Sequence, residues 1–417
     1  MIQTFGNDAT NTARIVTISL MAHPGPAIVN DRFAPRLALV YAAIFLAAGW
    51  QLPLFPVWLA ARGLDPAAIG MVLAAYQIVR IAATPTVTRL ANRHGTLNGA
   101  IVAAALATAC AVALLGAVGG FVPILIAAAV LGFMSAPQLP LIDAYGLTGL
   151  SLRARAYGPV RLWGSVAFIA ANLTGGLLLG VLAPSNLIWL IFAGNCAVAA
   201  AAFLLVRLPR EGPARQRSAT HHHLRQPAFL AIAAAGSLIQ ASHAIYYAFS
   251  TLDWSAKGYS GITIGVLWAL GVAAEIVLFA LAPRLPKSIG PVTLILIGAA
   301  GAVVRWTATA FDPPLVLLAP LQLLHALSFG ATLLGTMAYL SRNAVDGQRA
   351  AQQGDMAMIN VFGMATASGV AGILYSHLGS LSYLAMTAIV VLAFLPLFAV
   401  RQQVTAHSLP ELSDRNA

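Results

Sequence analysis

The chain has 417 residues, 59% of them hydrophobic and 8% charged, with a formal charge of +11 and a mean hydropathy of +0.83. A soluble domain of ordinary composition is about 45–50% apolar and about 25% charged, so a soluble globular fold is excluded and an integral membrane protein is indicated. The positive charge is scattered through short polar segments, which argues against a nucleic-acid partner.

A hydrocarbon core about 30 Å thick takes about 20 apolar residues per helical crossing. Twelve such stretches are predicted, at 36–60, 67–88, 97–117, 121–147, 158–182, 186–206, 228–252, 262–282, 289–310, 314–340, 354–376 and 379–400. Residues 1–35 form an N-terminal tail in which IVTISLMA is too short an apolar core for a secretory signal; Met21 is an alternative start. Breaker strings, among them ARGLDP (61–66), ANRHGT (91–96), VLAPSN (181–186), APRLPKSIGP (282–291) and FDPP (311–314), separate the helices. The longest polar insertion, 207–227, divides the chain into an N-terminal six-helix half, 36–206, and a C-terminal half, 228–400, followed by a tail at 401–417. The expected fold class is an all-α membrane protein of twelve transmembrane helices in two six-helix halves.

Cytoplasmic segments retain Lys and Arg. With both termini cytoplasmic, that side holds 18 of the 23 Lys and Arg residues and the opposite side holds only Arg62 and Lys257. A multi-pass protein of the bacterial inner (plasma) membrane, in contact with the lipid bilayer, follows as the expectation. Cys110 and Cys196 both fall within predicted helices and are read as core residues without a disulfide. The run His221, His222, His223 lacks Cys or carboxylate ligands at fixed spacing and is read as part of a flexible arginine-rich loop; no metal and no cofactor are expected.

Three basic residues remain, Arg80, Arg161 and Arg305, all inside apolar stretches that also contain Asp143, His243, Glu275 and His325. A charge at the bilayer centre costs about 2.5–3.5 kcal/mol on insertion scales and normally marks a substrate or proton path. Polar glue between helices explains one such residue, but uses Ser, Thr, Asn and Gln more often than ions, so seven together predict a functional cavity. At helical spacing, Arg161 shares its face with Tyr157, Gly164 and Ser165. His243 shares one with Tyr246, Tyr247 and Ser250, and Glu275 with Gly271 and Trp268. Arg305 follows Gly298 and Gly301, while His325 lies between Gln322 and Phe329. Arginine grips a carboxylate with two parallel hydrogen bonds, and the rings of Trp163, Tyr246, Tyr247 and Trp268 offer faces to an aromatic body. The predicted ligand is therefore a small flat organic anion, bound near the midplane between the halves.

The twelve helices and central loop resemble the major facilitator superfamily. The segments YGPVRLWGSVAF, IQASHAIYYAFSTLDW, GYSGITIGVLWALGVAAEIVLFAL, AVVRW and LQLLHALSFG resemble the 3-phenylpropionate permease family of proton symporters, over most of the chain from about residue 36. The related lactose permease type places an acid in helix 4, arginines in helices 5 and 9, a glutamate in helix 8 and a histidine in helix 10, which here are Asp143, Arg161, Arg305, Glu275 and His325. The resemblance implies that the helix 4 and 5 pair handles substrate and that Glu275, Arg305 and His325 couple the proton. Two departures stand out. Ser328 replaces a second carboxylate one turn after His325, which leaves Glu275 as the candidate proton carrier. In the loop between helices 2 and 3, TRLANRHG (88–95) has Thr88 and Asn92 where the superfamily tends to have Gly and Asp, so Arg93 keeps only a topological role or a weakened gate pairing.

The expected activity is secondary active transport with no covalent chemistry, as a monomer: import of a small aromatic carboxylate with protons by alternating access. Burial favours the neutral form of a carboxyl and a neighbouring guanidinium the charged form. The expected coupling has an incoming carboxylate draw Arg305 away from Glu275, which then takes up a proton, with His325 and His243 placed to relay it. A proton-coupled symporter of a neutral nucleoside or sugar is the alternative, because an Asp–Arg pair and two histidines also bind hydroxyls. An exporter of amphipathic drugs is third. An enzyme is not expected: Ser242 beside His243 is the nearest approach to a nucleophile with its base, and adjacent helical residues do not face one another.

Overall fold

A backbone in hydrocarbon must satisfy its own N–H and C=O groups, and a helix does so within one segment. The computed structural model describes residues 32–94, 97–208, 222–286, 288–343 and 349–406, and among them all regular structure is helical. The side chains of 88–94, 349–350 and 401–406, and residues 95–96 entirely, lie outside that description, as do the gate-loop expectation on Arg93 and the position of His221. In chain order the crossings are α1 Phe33–Ala61, α2 Pro66–Ile78 resuming as Arg80–His94, α3 Leu97–Ala117, α4 Phe121–Ser135 resuming as Gln138–Ser151, α5 Tyr157–Leu179 and α6 Leu187–Phe203. The second half has α7 Pro227–Ala241 resuming as Ala244–Ala256, α8 Gly261–Leu281, α9 Pro291–Ala310, a three-part α10, α11 Arg349–Leu378 and α12 Tyr383–Ala406. The last two form one apolar run, Ala351–Val400, turned by a short 3₁₀ segment at Gly379–Ser382.

Where the sequence predicts unbroken helices 2, 4, 7 and 10, the structure interrupts each of them, and three of the breaks have identifiable causes. In α4 the Ala136–Pro137 step separates the two pieces, since proline brings no N–H to the ladder. In α7, Ser242 Oγ donates to Ile239 O at 2.6 Å and His243 Nδ1 lies 3.1 Å from the same oxygen, so side chains take a carbonyl that the helix would use. In α10, Leu315–Leu323 carries the internal Pro320 and gives way to a six-residue π-helix, Ala326–Ala331, before Thr332–Asn343. Such irregular backbone is tolerated at membrane depth where it is buried in protein or lines a cavity, and π-turns concentrate at functional sites. His243, His325 and Ser328 all sit at these breaks.

The halves meet tightly where glycines remove side chains. A Cβ at Gly70 of α2 would stand 2.9 Å from Gly372 Cα of α11, and one at Gly176 of α5 would stand 2.7 Å from Gly265 Cα of α8. Both crossings lie near the start of α2 and α8 and the end of α5 and α11, the side of the bundle opposite the start of α1 and the end of α12. On that side Lys257 bridges Asp253 and Asp312 at 2.6 Å each, and Ser380 Oγ donates to Asp312 at 2.8 Å, tying α7 to the α9–α10 and α11–α12 connections. Burial presses the Lys257 ammonium toward losing its proton and the two carboxylates outweigh it, so its pKa stands above the ordinary lysine value.

Overpacking a close contact costs about 1–3 kcal/mol, and about 1.4 kcal/mol shifts an equilibrium tenfold. Gly176→Leu should therefore prise α5 from α8 and raise the labelling rate of a cysteine placed at position 172, buried at this crossing, by roughly tenfold. An unchanged rate with a membrane-impermeant maleimide would contradict the close crossing.

Candidate functional site between the two halves

The C-terminal half builds its polar centre around a cation without an acid. Arg305 on α9 is 1% exposed. Its Nη2 donates to Gln322 Oε1 at 2.9 Å, and its Nη1 lies 3.1 Å from His325 Nδ1 and 3.4 Å from Ser328 Oγ. Its guanidinium carbon is 4.5 Å from the ring centres of both Tyr246 and Trp306. Arginine only donates, so His325 Nδ1 accepts and the imidazole carries its proton on Nε2, facing Glu275 Oε2 at 3.6 Å. The same logic runs through Ser328: it accepts from Arg305, donates to His243 Nε2 at 3.2 Å, and His243 Nδ1 donates to Ile239 O. With both histidines neutral, the links from Arg305 to His325 and Ser328, and on to His243 and Ile239 O, are consistent in donor and acceptor, while the buried Arg305 Nε–H has no partner among the described residues.

The expected contact between Arg305 and Glu275 is thus corrected: His325 stands between them, and Arg305 forms no ion pair with Glu275. The aromatic assignments change too. Tyr246 and Trp268 pack on each other at 4.7 Å and are 3% and 4% exposed, and Trp268 Nε1 donates to Thr251 Oγ1 at 3.0 Å. Tyr246 in turn packs its ring against Arg305, while Tyr247 stays partly exposed with its ring stacked 6.2 Å from Trp268. Gln322 and His243 are buried inside this half.

The N-terminal half holds opposite charges apart. Asp143 Oδ1 accepts from Tyr41 at 2.6 Å and from Tyr157 at 2.8 Å. Arg161, one turn beyond Tyr157 on α5, makes neither a hydrogen bond nor an ion pair among the described residues; its guanidinium carbon lies 4.1 Å from the Phe45 ring centre and 5.2 Å from that of Tyr41. The expected Asp143–Arg161 pair therefore does not form. Trp163 is 57% exposed and shares its face with exposed Leu162, Val166, Leu173 and Leu177, roughly opposite Arg161, because two helical residues span about 200°. It points away from the site. Arg80 Nη1 donates to Tyr76 Oη at 3.1 Å and Ser135 Oγ at 3.3 Å, which places it between α2 and α4.

Arg161 and Glu275 form no ion pair with each other, and the Glu275 side chain keeps 17% of its surface exposed. Sequence reasoning missed Tyr41 and Phe45 of α1 and Phe168 of α5, whose ring lies edge-on to Phe45 at 6.4 Å. Aromatic residues in an apolar run give no polar signal. It also missed a second buried pair: His223, 1% exposed, meets Asp355 of α11 at 2.7 Å and packs on Phe229, so this histidine is a structural anchor and no part of a solvated loop.

Residues 35–399 match the MFS_1 like family. The chain belongs to this family, within the major facilitator superfamily. It is 30% identical to the Probable 3-phenylpropionic acid transporter of Escherichia coli (strain K12), over 82% of this chain and 91% of the relative. It is 29% identical to the Maltose permease of Geobacillus stearothermophilus, over 73% and 78%. The fold matches the crystal structure of the nucleoside transporter NupG, with a TM-score of 0.73 at 16% identity over 89% of this chain and 99% of that one. It also matches a bacterial homologue of the human lysosomal transporter Spinster in an inward-facing, occupied conformation, with a TM-score of 0.74 at 14% identity over 92% and 100%. An MFS transporter is a multi-pass membrane protein that carries a small molecule and is not an enzyme.

Arg305 and Arg161 should respond differently to removal. Arg305→Met strips donors from Gln322 and Ser328, and each buried group left unsatisfied costs about 1–3 kcal/mol. The purified variant should lose about 2–4 kcal/mol of stability, while Arg161→Met stays within about 0.5 kcal/mol of the parent, as a change at a site away from buried networks does. Equal losses in thermal unfolding would contradict the distinction.

Proposed function

We propose that the chain is a proton symporter that imports a small aromatic carboxylate by alternating access, with its termini on the cytoplasmic side of the inner membrane. The single observation that carries this reading is the Arg161 guanidinium, held one turn inside the start of α5 on aromatic faces with no anion of its own. A carboxylate supplies the bidentate partner that the guanidinium fork lacks, and the ring of such a substrate has Phe45 and Phe168 beside it and Tyr247 across the gap. The name of the Escherichia coli relative supports the same substrate class. Sequestration of Asp143 by two phenols favours an anion over a sugar or nucleoside, since a polyhydroxyl ligand needs strong acceptors.

In the proposed cycle the substrate anion competes with Glu275 for the field of Arg161, replacing the competition for Arg305 that the sequence suggests. Once Arg161 is neutralised by substrate, Glu275 has no counter-charge and takes a proton, with the Nε2–H of His325 beside it. The loaded site carries no net added charge, so the halves rock across a low-dielectric barrier without an unbalanced ion. With the termini cytoplasmic, the close α2–α11 and α5–α8 crossings support reading this conformation as inward-facing.

Arg161→Lys keeps the charge and loses the fork. A charge-assisted hydrogen bond contributes about 1.5–3 kcal/mol, so affinity for 3-phenylpropionate, read by ligand-dependent thermal stabilisation, should fall roughly 10- to 100-fold; undiminished affinity would remove Arg161 from the site. Glu275→Gln should abolish uphill accumulation in proteoliposomes and leave counterflow intact. Accumulation that still follows the pH gradient in that variant would refute Glu275 as the proton carrier.

A further inference from the structure

An arginine and an aspartate one helix apart in a low-dielectric site ordinarily find each other, because Coulomb attraction grows as the dielectric falls. Here they do not. Asp143 of α4 and Arg161 of α5 are both partly exposed, and Tyr157, one turn from Arg161 on the same helix, reaches Asp143. Two phenols take the acid instead. Tyr41 Oη and Tyr157 Oη lie 3.2 Å apart and both meet Asp143 Oδ1, at 2.6 and 2.8 Å. The Tyr41 ring then turns its π-face toward the Arg161 guanidinium, with Phe45 closer still at 4.1 Å. Tyr41 therefore serves both charges at once, its hydroxyl toward the acid and its ring toward the base.

We propose that Tyr41 and Tyr157 are positioning residues that hold Asp143 away from Arg161, so that the guanidinium stays available to an exogenous carboxylate and the site selects anions. The inference rests on the anion-site reading of Arg161 and adds the reason that the site is not filled by the chain's own acid. Hydrogen bonds to a carboxylate stabilise its charge, and a ring face stabilises a cation without consuming its donors. Losing the phenol hydroxyls frees the carboxylate, and the nearest strong donor left for it is Arg161. Losing the carboxylate as well removes the competitor, so the defect should be self-correcting in the triple variant.

The test compares Tyr41→Phe/Tyr157→Phe, Asp143→Asn and the triple combination in the full-length purified protein. The readout is the rate of modification of Arg161 by phenylglyoxal without ligand, followed by mass spectrometry of the peptide that carries it. The parent should react quickly, the double phenylalanine variant at least fivefold more slowly, and the triple variant at a rate within twofold of the parent. Equal rates in the parent and the double variant, or a triple variant that stays slow while its unfolding midpoint matches the parent, overturns the proposal. If the double variant does not fold, Tyr157→Phe alone carries the comparison, with a slowing of at least twofold expected, Asp143→Asn as its rescue and an unslowed rate as the contrary result. Protection of Arg161 by 3-phenylpropionate is scored separately. Slowing and rescue without protection leave the charge separation standing and sink the anion-site reading, whereas protection without slowing does the reverse.

Discussion

An ion in hydrocarbon costs several kcal/mol unless something meets it, and the interior of this transporter is organised by how each charge is met. Arg305 is met inside its own half, by Gln322, His325, Ser328 and two aromatic faces. Asp143 is met by two phenols. Arg161 has aromatic faces but no hydrogen bond or ion pair among the described residues, and Glu275 has the His325 ring 3.6 Å away. In the proposed cycle the charges satisfied within a half stay with that half, and Arg161 and Glu275 are the pair whose balance a ligand and a proton change.

Backbone geometry serves the same division. His243, His325 and Ser328 lie at the interruptions of α7 and α10 and join Arg305 in one hydrogen-bonded chain. The glycines at the α2–α11 and α5–α8 crossings do the opposite work, allowing backbones to touch so that the halves close on one side. Small residues suit this role because hydrocarbon gives helices no hydrophobic reason to associate, and close van der Waals contact must supply it.

Much of this is legible in the sequence. Twelve apolar runs mark the crossings, and the rarity of charge makes Arg80, Asp143, Arg161, Glu275, Arg305 and His325 conspicuous as intramembrane groups. Partnership is not legible. Asp143 and Arg161 look like a pair because both are charged and belong to consecutive helices, but their partners include Tyr41 and Phe45, over 100 residues away in an apolar run without any charge to flag them. Glu275 and Arg305 look like competitors until the three-part α10 inserts His325 between them. Trp163 looks like a site residue from its nearness to Arg161 in sequence, although two residues along a helix is a turn to the far side. His223 and Asp355 are 132 residues apart, and neither the loop composition nor the helix start hints at their contact.

The central claim is that a carboxylate arriving at Arg161 obliges Glu275 to take up a hydrogen ion. Its most direct test is the pH of a lightly buffered suspension of proteoliposomes, recorded as 3-phenylpropionate is added with no imposed gradient. Alkalinisation outside the vesicles that tracks substrate entry, and that vanishes in Glu275→Gln, is the predicted result. Substrate entry with no accompanying change in external pH would contradict the account.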